Sequence, residues 1–147
     1  MTISITQTGG REVRAILDGV ARRTTDMSPA LAEVADWIRG EWRASFDTAG
    51  RNLDRPWRPL KATTRQVKAE RGYDPRVLVR RGDLMRSLTE RGHTGHVETI
   101  TPGELRLGTR SRVVPLLRAG GRDPIQPPAD MAPAARIIER WIERGKA

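Results

Sequence analysis

A run of apolar residues with helical spacing, between residues 31 and 46, constrains the fold of this chain more than any other feature. Ser28 is a suitable N-cap for this helix and Pro29 a suitable first helical residue. Side chains three and four residues apart share one helical face, so we expect a single buried stripe. Trp37 lies slightly off the stripe and is either a core residue or a contact residue. The stripe consists of Leu31, Val34, Ala35, Ile38, Trp42 and Phe46.

Length and composition indicate one domain, residues 1–147, with a modest core. Hydrophobic residues make up 37% of the chain and charged residues 31%, and four of the six aromatic residues are Trp. No apolar run approaches the roughly 20 residues of a membrane span. The first residues do not resemble a signal peptide, so we expect synthesis in the cytoplasm. The chain has no Cys, which excludes disulfides and thiolate chemistry.

Shorter patterns predict the helices on either side of the long one. A short strand is predicted within residues 1–7, where Ile3 and Ile5 alternate with polar residues. A short helix is expected from Asp83 to about Glu90, and a last helix from near Pro133. The first helix would carry Val13, Ile16, Leu17 and Val20 on one face, and the last Ile137, Ile138, Trp141 and Ile142.

A β-hairpin is predicted from residues 96–100 and 104–108, joined by Thr101-Pro102-Gly103 in a type II turn. Residues 113–117 would add a third strand, limited to an edge by Pro115. We expect the long helix to pack on the hairpin face that carries Leu105 and Leu107, and on Trp141. The predicted class is α+β, with two N-terminal helices and a C-terminal helix packed on a small antiparallel sheet, and a long basic loop.

Most of the net charge of +9 lies in residues 51–81, which hold ten basic and three acidic residues. Their lack of periodicity predicts a mobile basic loop over residues 51–76, anchored at Trp57 and Leu60, although Thr64 could start a short helix. Three interpretations stay open: a solvated surface, an interface with an acidic partner ring, or contact with DNA phosphates. Base stacking on Trp57 or Tyr73 is conceivable, but burial is the stronger interpretation for Trp57. The candidate contact residues are Arg65, Lys68, Arg71, Arg80 and Arg81.

The residues that could carry catalysis or bind a metal form no recognisable pattern. His93 and His96 have a spacing that can serve a metal, but they lie between glycines and no third ligand is spaced near them. No hydrolytic triad and no phosphate-binding glycine loop is supported. We therefore expect neither an enzyme nor a metal or cofactor site.

Between positions 46 and 109 the chain carries an ordered set of residues: Phe46, Gly50, Trp57, Pro59, Leu60, Thr64, Lys68, Leu78, Gly82, Leu84, Ser87, Leu88, Gly108 and Thr109. This set resembles the Mu-like family of tailed-phage tail-completion, or virion-morphogenesis, proteins. The resemblance covers roughly residues 40–130. It departs from the family at residues 113–120, where Tyr-Ala and His-Gln are usual, and at residues 125–131, where Ile-Pro-Ala-Arg-Pro-Phe is usual.

The resemblance implies a structural protein of the virion, assembled in the host cytoplasm and located at the head–tail junction. Such proteins complete or join the tail, commonly as six-fold rings of their own subunits closed by head-to-tail contacts, and they also contact neighbouring neck or tail proteins. A weak, non-specific contact with DNA would be compatible with that role. The alternative is a small basic nucleic-acid-binding module, and composition also leaves a toxin or regulator of a mobile element open. The matched residues expected to anchor the core are Phe46, Trp57, Pro59, Leu60, Thr64, Gly82, Leu84 and Ser87.

Overall fold

A computed structural model of the chain describes residues 10–145, and within them it has an α+β fold. Its six helices and one two-stranded antiparallel sheet confirm the predicted class. The strand predicted within residues 1–7 and the side chain of Val13 lie outside the described part. The elements are α1 (Gly10–Thr25), α2 (Ser28–Thr48), α3 (Ala62–Glu70), α4 (Asp83–Thr89), β1 (His96–Thr101), β2 (Glu104–Thr109), α5 (Val114–Ala119) and α6 (Ala132–Arg144).

Helix α2 is the centre of the fold, and its apolar stripe serves two clusters of buried side chains. Near the end of the helix, Trp42 and Phe46 pack with Leu53, Trp57, Val79 and Leu88, and Leu107 of β2 joins them. Near its start, Ala30 and Val34 pack with Ala134 and Ile137, beside Leu105 and Trp141. Ile38 contacts both clusters, so the predicted packing of α2 on the hairpin and on Trp141 is confirmed. Trp37 is a half-buried neighbour of the second cluster.

The hairpin forms as predicted, but two details of the β-structure were wrong. Thr101 pairs with Glu104, so Pro102 and Gly103 form a two-residue turn. Gly103 does not take the left-handed conformation that a type II turn requires at this position. Residues 114–119 form helix α5 instead of a third strand, because Pro115 falls in the first helical turn, where its missing N–H group leaves no hydrogen bond unmade.

Two buried tryptophans hold the Pro-rich segment between α5 and α6. The indole N–H of Trp42 donates to the carbonyl oxygen of Gln126 at 2.8 Å, and that of Trp57 donates to the carbonyl oxygen of Asp123 at 2.9 Å. The buried Gln126 side chain donates in turn to the carbonyl oxygen of Arg55 at 3.1 Å. The loop over residues 123–128 is therefore part of the core wall, although it has no regular structure.

The end of α2 makes the closest backbone approach in this core. Ala49 and Gly50 both have left-handed backbones, with φ of 52° and 74°. The chain then turns back, and the Trp57 ring lies directly against the Gly50 α-carbon. A β-carbon at position 50 would come within 2.9 Å of the Trp57 ring. Position 50 therefore requires Gly for both its backbone angle and its lack of a side chain.

We predict that Gly50→Ala destabilises the fold by about 3 kcal/mol, since it combines a left-handed Ala with a clash against Trp57. Gly40→Ala is the matched control, because Gly40 is an exposed position of α2 with open space around its α-carbon. That change should stabilise the protein by about 1 kcal/mol through helix propensity. Urea denaturation of both variants measures the difference, and equal midpoints would contradict the close packing at Gly50.

Candidate functional site

The matched residues Phe46 and Trp57 form the innermost contact of the first cluster. Their ring centroids lie 5.2 Å apart, with the planes at 67°. The backbone N–H of Trp57 donates to the carbonyl oxygen of Ala49 at 3.0 Å, which fixes the turn after α2. Trp57 is only 3% exposed, so it is a core residue and offers no surface for stacking a base.

The matched residues around α4 join that short helix to the sheet. Gly82, with φ of 84°, is the buried N-cap of α4. The hydroxyl groups of Ser87 and Thr109 lie 2.7 Å apart in a hydrogen bond that joins α4 to β2. Leu88 is completely buried in the first cluster. These residues therefore attach α4 to the core.

Two of the expected core anchors, Pro59 and Thr64, are exposed, so that assignment was wrong. Thr64 lies in α3, which has no buried residue because the helix rests on the surface of the domain. Leu60 and Leu84 are half-buried and line an open groove, and Leu84 also packs against the first cluster, as expected of a core anchor.

This groove has a volume of about 610 Å³ and is formed by α3, the segment before α4, α4 itself and α5. Apolar side chains make up most of its lining, and two arginines extend along its edge. Five matched residues lie here: Leu60, Lys68, Leu78, Gly82 and Leu84. The remaining lining residues are Val79, Arg80, Arg81, Asp83, Val113 and Leu117.

Lys68 has a structural position that the sequence did not indicate. Its ammonium group donates to three backbone carbonyl oxygens, those of Asp74 at 2.9 Å, Arg76 at 2.6 Å and Val79 at 2.6 Å. Burial lowers the pKa of Lys68, and the nearby Asp74 carboxylate opposes that shift. The ammonium group therefore joins α3 to residues 74–79. Its three N–H donors are used within the domain, which argues against its predicted role in contacting a partner.

The segment joined to Lys68 is fixed from its other side as well. Arg76 forms ion pairs of 2.8 Å with both Asp74 and Asp47, so it connects this segment to the end of α2. Residues 51–76 thus contain a helix and several tertiary contacts instead of one extended loop, while their mobility stays a prediction. Leu78, which lines the groove, has a left-handed φ of 62°. A bulky residue adopts that angle only where its surroundings impose it.

Three arginines lie close to the hydroxyl group of Tyr73 at the edge of the groove. The Arg80 guanidinium stacks on the Tyr73 ring at 4.8 Å and donates to its hydroxyl oxygen at 2.9 Å. The hydrogen bond from Arg80 lowers the pKa of Tyr73, and the charge of Arg80 and hydrogen bonding from Arg71 and Arg81 lower it further. Arg71, Arg80 and Arg81 are exposed, and none has an ion pair among the described residues.

The other predicted contact residue, Arg65, points back to its own helix start. It is exposed and donates to the carbonyl oxygen of Leu60 at 2.9 Å. The structure therefore brings Arg71, Arg80 and Arg81 together. Lys68 differs from them because its ammonium group is hydrogen-bonded to the backbone of the domain. Leu78, Val113 and Leu117 line the groove and Tyr73 lies beside Arg80, and no sequence pattern selects these four residues as a group.

The two histidines take structural positions. His96 is nearly buried, and its ring nitrogens face the carbonyl oxygen of Ser87 at 2.8 Å and the Glu98 carboxylate at 3.4 Å. Glu98 is also paired with Arg39 and Arg91. Within residues 10–145, no three His, Asp or Glu side chains are grouped so as to hold a metal ion.

Comparison of the chain with known protein families, with curated proteins and with solved structures found no match. None of the described helices is both long and apolar enough to cross a membrane.

We predict that Lys68→Met destabilises the fold by about 1–3 kcal/mol, because three carbonyl groups lose their donor. Lys61→Met is the control, since Lys61 is exposed and its ammonium group has no hydrogen bond or ion pair among the described residues. It should change stability by less than about 0.5 kcal/mol. Urea denaturation gives the stabilities, and faster tryptic cleavage at Arg76 in Lys68→Met would show that residues 74–79 have been released. Indistinguishable behaviour of the two variants would contradict the structural role of Lys68.

Proposed function

We propose that this chain is a structural protein of tailed-phage morphogenesis that acts at the head–tail junction, in tail completion or in the neck, by protein docking and ring assembly without catalysis. The observation that carries the proposal is where the matched residues lie. Phe46, Gly50 and Trp57 build the core. Leu60, Lys68, Leu78, Gly82 and Leu84 line the groove directly beside it, and Leu78 and Leu84 also pack against the core.

A groove with an apolar lining and unpaired cations at its edge suits association with another protein. Contact removes its apolar side chains from water, while the cations orient the partner and disfavour unsuitable ones. Such a surface needs no reacting group. The proposed location is the virion, after assembly in the host cytoplasm.

Ring closure by head-to-tail contacts requires two different surfaces on each subunit besides the groove, and α1 offers one of them. Ile16 is 64% exposed and Leu17 is 62% exposed. Among the described elements, α1 contacts only α6 and so is separate from the helices that form the groove. A ring, commonly six-fold in such proteins, is therefore part of the proposal, with neighbouring neck or tail proteins as further partners.

The alternative is a small basic nucleic-acid-binding module, and the unpaired arginines around Tyr73 favour it. These guanidinium groups could contact phosphates, and such binding falls steeply as salt rises. However, Trp57 is buried and Arg80 stacks on one face of the Tyr73 ring, which leaves little aromatic surface for stacking a base. We therefore expect only weak, non-specific DNA contact.

Removing the gene from a phage that encodes this protein should leave filled heads and finished tails that are not productively joined, or tails with aberrant ends. Electron microscopy of the particles measures this directly. In parallel, titration of the purified chain with duplex DNA at physiological salt should show weak binding without sequence preference. Normal particles together with tight, sequence-selective binding would favour the nucleic-acid module instead.

A further inference from the structure

We infer that the groove binds an acidic, apolar segment of a partner protein, with apolar side chains against its lining and carboxylates on Arg71, Arg80 and Arg81. This inference rests on the proposed assembly function and names the chemistry of the partner. Neither the apolar lining nor the arginine cluster defines that partner alone. Because the two lie side by side, the partner segment must carry both apolar and acidic side chains.

The apolar part of the surface extends beyond the groove along α5. Val113 and Leu117 line the groove, and Val113 is 45% exposed. Leu116, on the same helix, is 74% exposed. Leu60 and Leu84 add two further apolar side chains to the groove lining. Exposed apolar surface of this kind commonly marks a protein-binding site.

The charged part of the surface favours an anion. Arg80 and Arg81 line the groove, and Arg80 donates to the Tyr73 hydroxyl oxygen at 2.9 Å. Asp83 of the groove lining is paired with Arg86, and none of Arg71, Arg80 and Arg81 has an ion pair among the described residues. A guanidinium group offers two parallel N–H donors, which match the two oxygens of a carboxylate. An Asp or Glu side chain beside the apolar residues of the partner would supply the missing negative charge.

The groove is held in position before any partner arrives. The three carbonyl hydrogen bonds of Lys68 and the ion pairs of Arg76 fix residues 74–79, and Leu78 remains in its left-handed conformation at the groove lining. A site that is already ordered loses less conformational entropy on binding. The backbone strain at Leu78 has its physical explanation in this arrangement.

Two other occupants fit less well. A second copy of this chain could place its helix α1 in the groove. The described charged side chains of α1 are Arg14, Asp18, Arg22 and Arg23. Helix α1 is therefore net positive, and the arginines of the groove would repel it. DNA would pair with the arginines but would leave most of the apolar lining unused. The combination therefore favours a protein segment that is both apolar and acidic.

Fluorescence anisotropy with short labelled peptides of equal length tests the inference on the full chain. The probe is a peptide of Leu residues interspersed with Asp and Glu. One comparison peptide replaces Leu with Ser, another replaces Asp and Glu with Asn and Gln, and a third probe is an oligothymidylate. We expect the acidic Leu peptide to bind and each altered peptide to bind about tenfold more weakly, because either the apolar contact or the charged hydrogen bonds are lost.

The protein variant Arg80→Glu/Arg81→Glu should weaken binding of the acidic Leu peptide by at least about tenfold. Arg136→Glu is the matched control, since Arg136 is exposed on α6, away from the groove, and has no ion pair among the described residues; it should leave binding unchanged. Equal urea midpoints would show that both variants fold. No binding of the acidic Leu peptide, equal loss in both variants, tighter binding of the oligothymidylate, or occupation of the groove by self-association would each overturn the inference.

The outcome separates this inference from the proposed function. Failure to bind the peptide, combined with unjoined heads and tails in the gene deletion, would reject the acidic partner and retain the assembly role. Specific peptide binding combined with normal particles would retain the groove as an acidic-segment site and reject the assembly role.

Discussion

The close contact between Gly50 and Trp57 is the constraint on which the rest of the structure depends. Because Gly50 has no side chain and a left-handed backbone, the chain reverses after α2 and brings the Trp57 ring onto Phe46. The indole of Trp57 then holds the segment that contains Asp123. The groove is formed by residues that follow directly from this core: Leu60 comes three positions after Trp57, and Val79 is shared by the first cluster and the groove. A substitution that loosens the contact at Gly50 would therefore also disturb the structure of the groove.

Charge has two separate uses in residues 51–81. Lys68 and Arg76 are committed to internal partners and give the segment its shape. Arg71, Arg80 and Arg81 stay exposed around Tyr73 without counterions among the described residues. The net charge of a segment hides this division, because a cation that donates to buried carbonyls and a cation that faces water count equally. Only the exposed group bears on partner choice.

Much of the fold could be predicted from periodicity, whereas the groove could not. Helix α2 was predictable because its apolar stripe extends over four turns, and the hairpin because alternating residues flank a Pro-Gly turn. The run at residues 113–117 was misassigned because five mostly apolar residues fit a strand and a short helix equally well, and the helix forms where Pro115 can occupy its first turn. The groove combines three stretches of the chain, within residues 60–68, 78–84 and 113–117, which no local pattern brings together. The role of Lys68 depends on carbonyl groups of a turn that no sequence pattern specifies.

The most direct test is complementation of a gene-deleted phage with Arg80→Glu/Arg81→Glu, counted as joined particles by electron microscopy. If the groove docks a partner at the head–tail junction, this folded variant should leave heads and tails separate, while Arg136→Glu restores joined particles. Full restoration by both variants would contradict docking through the groove, since the reversed charges would then lie outside any interface that assembly uses.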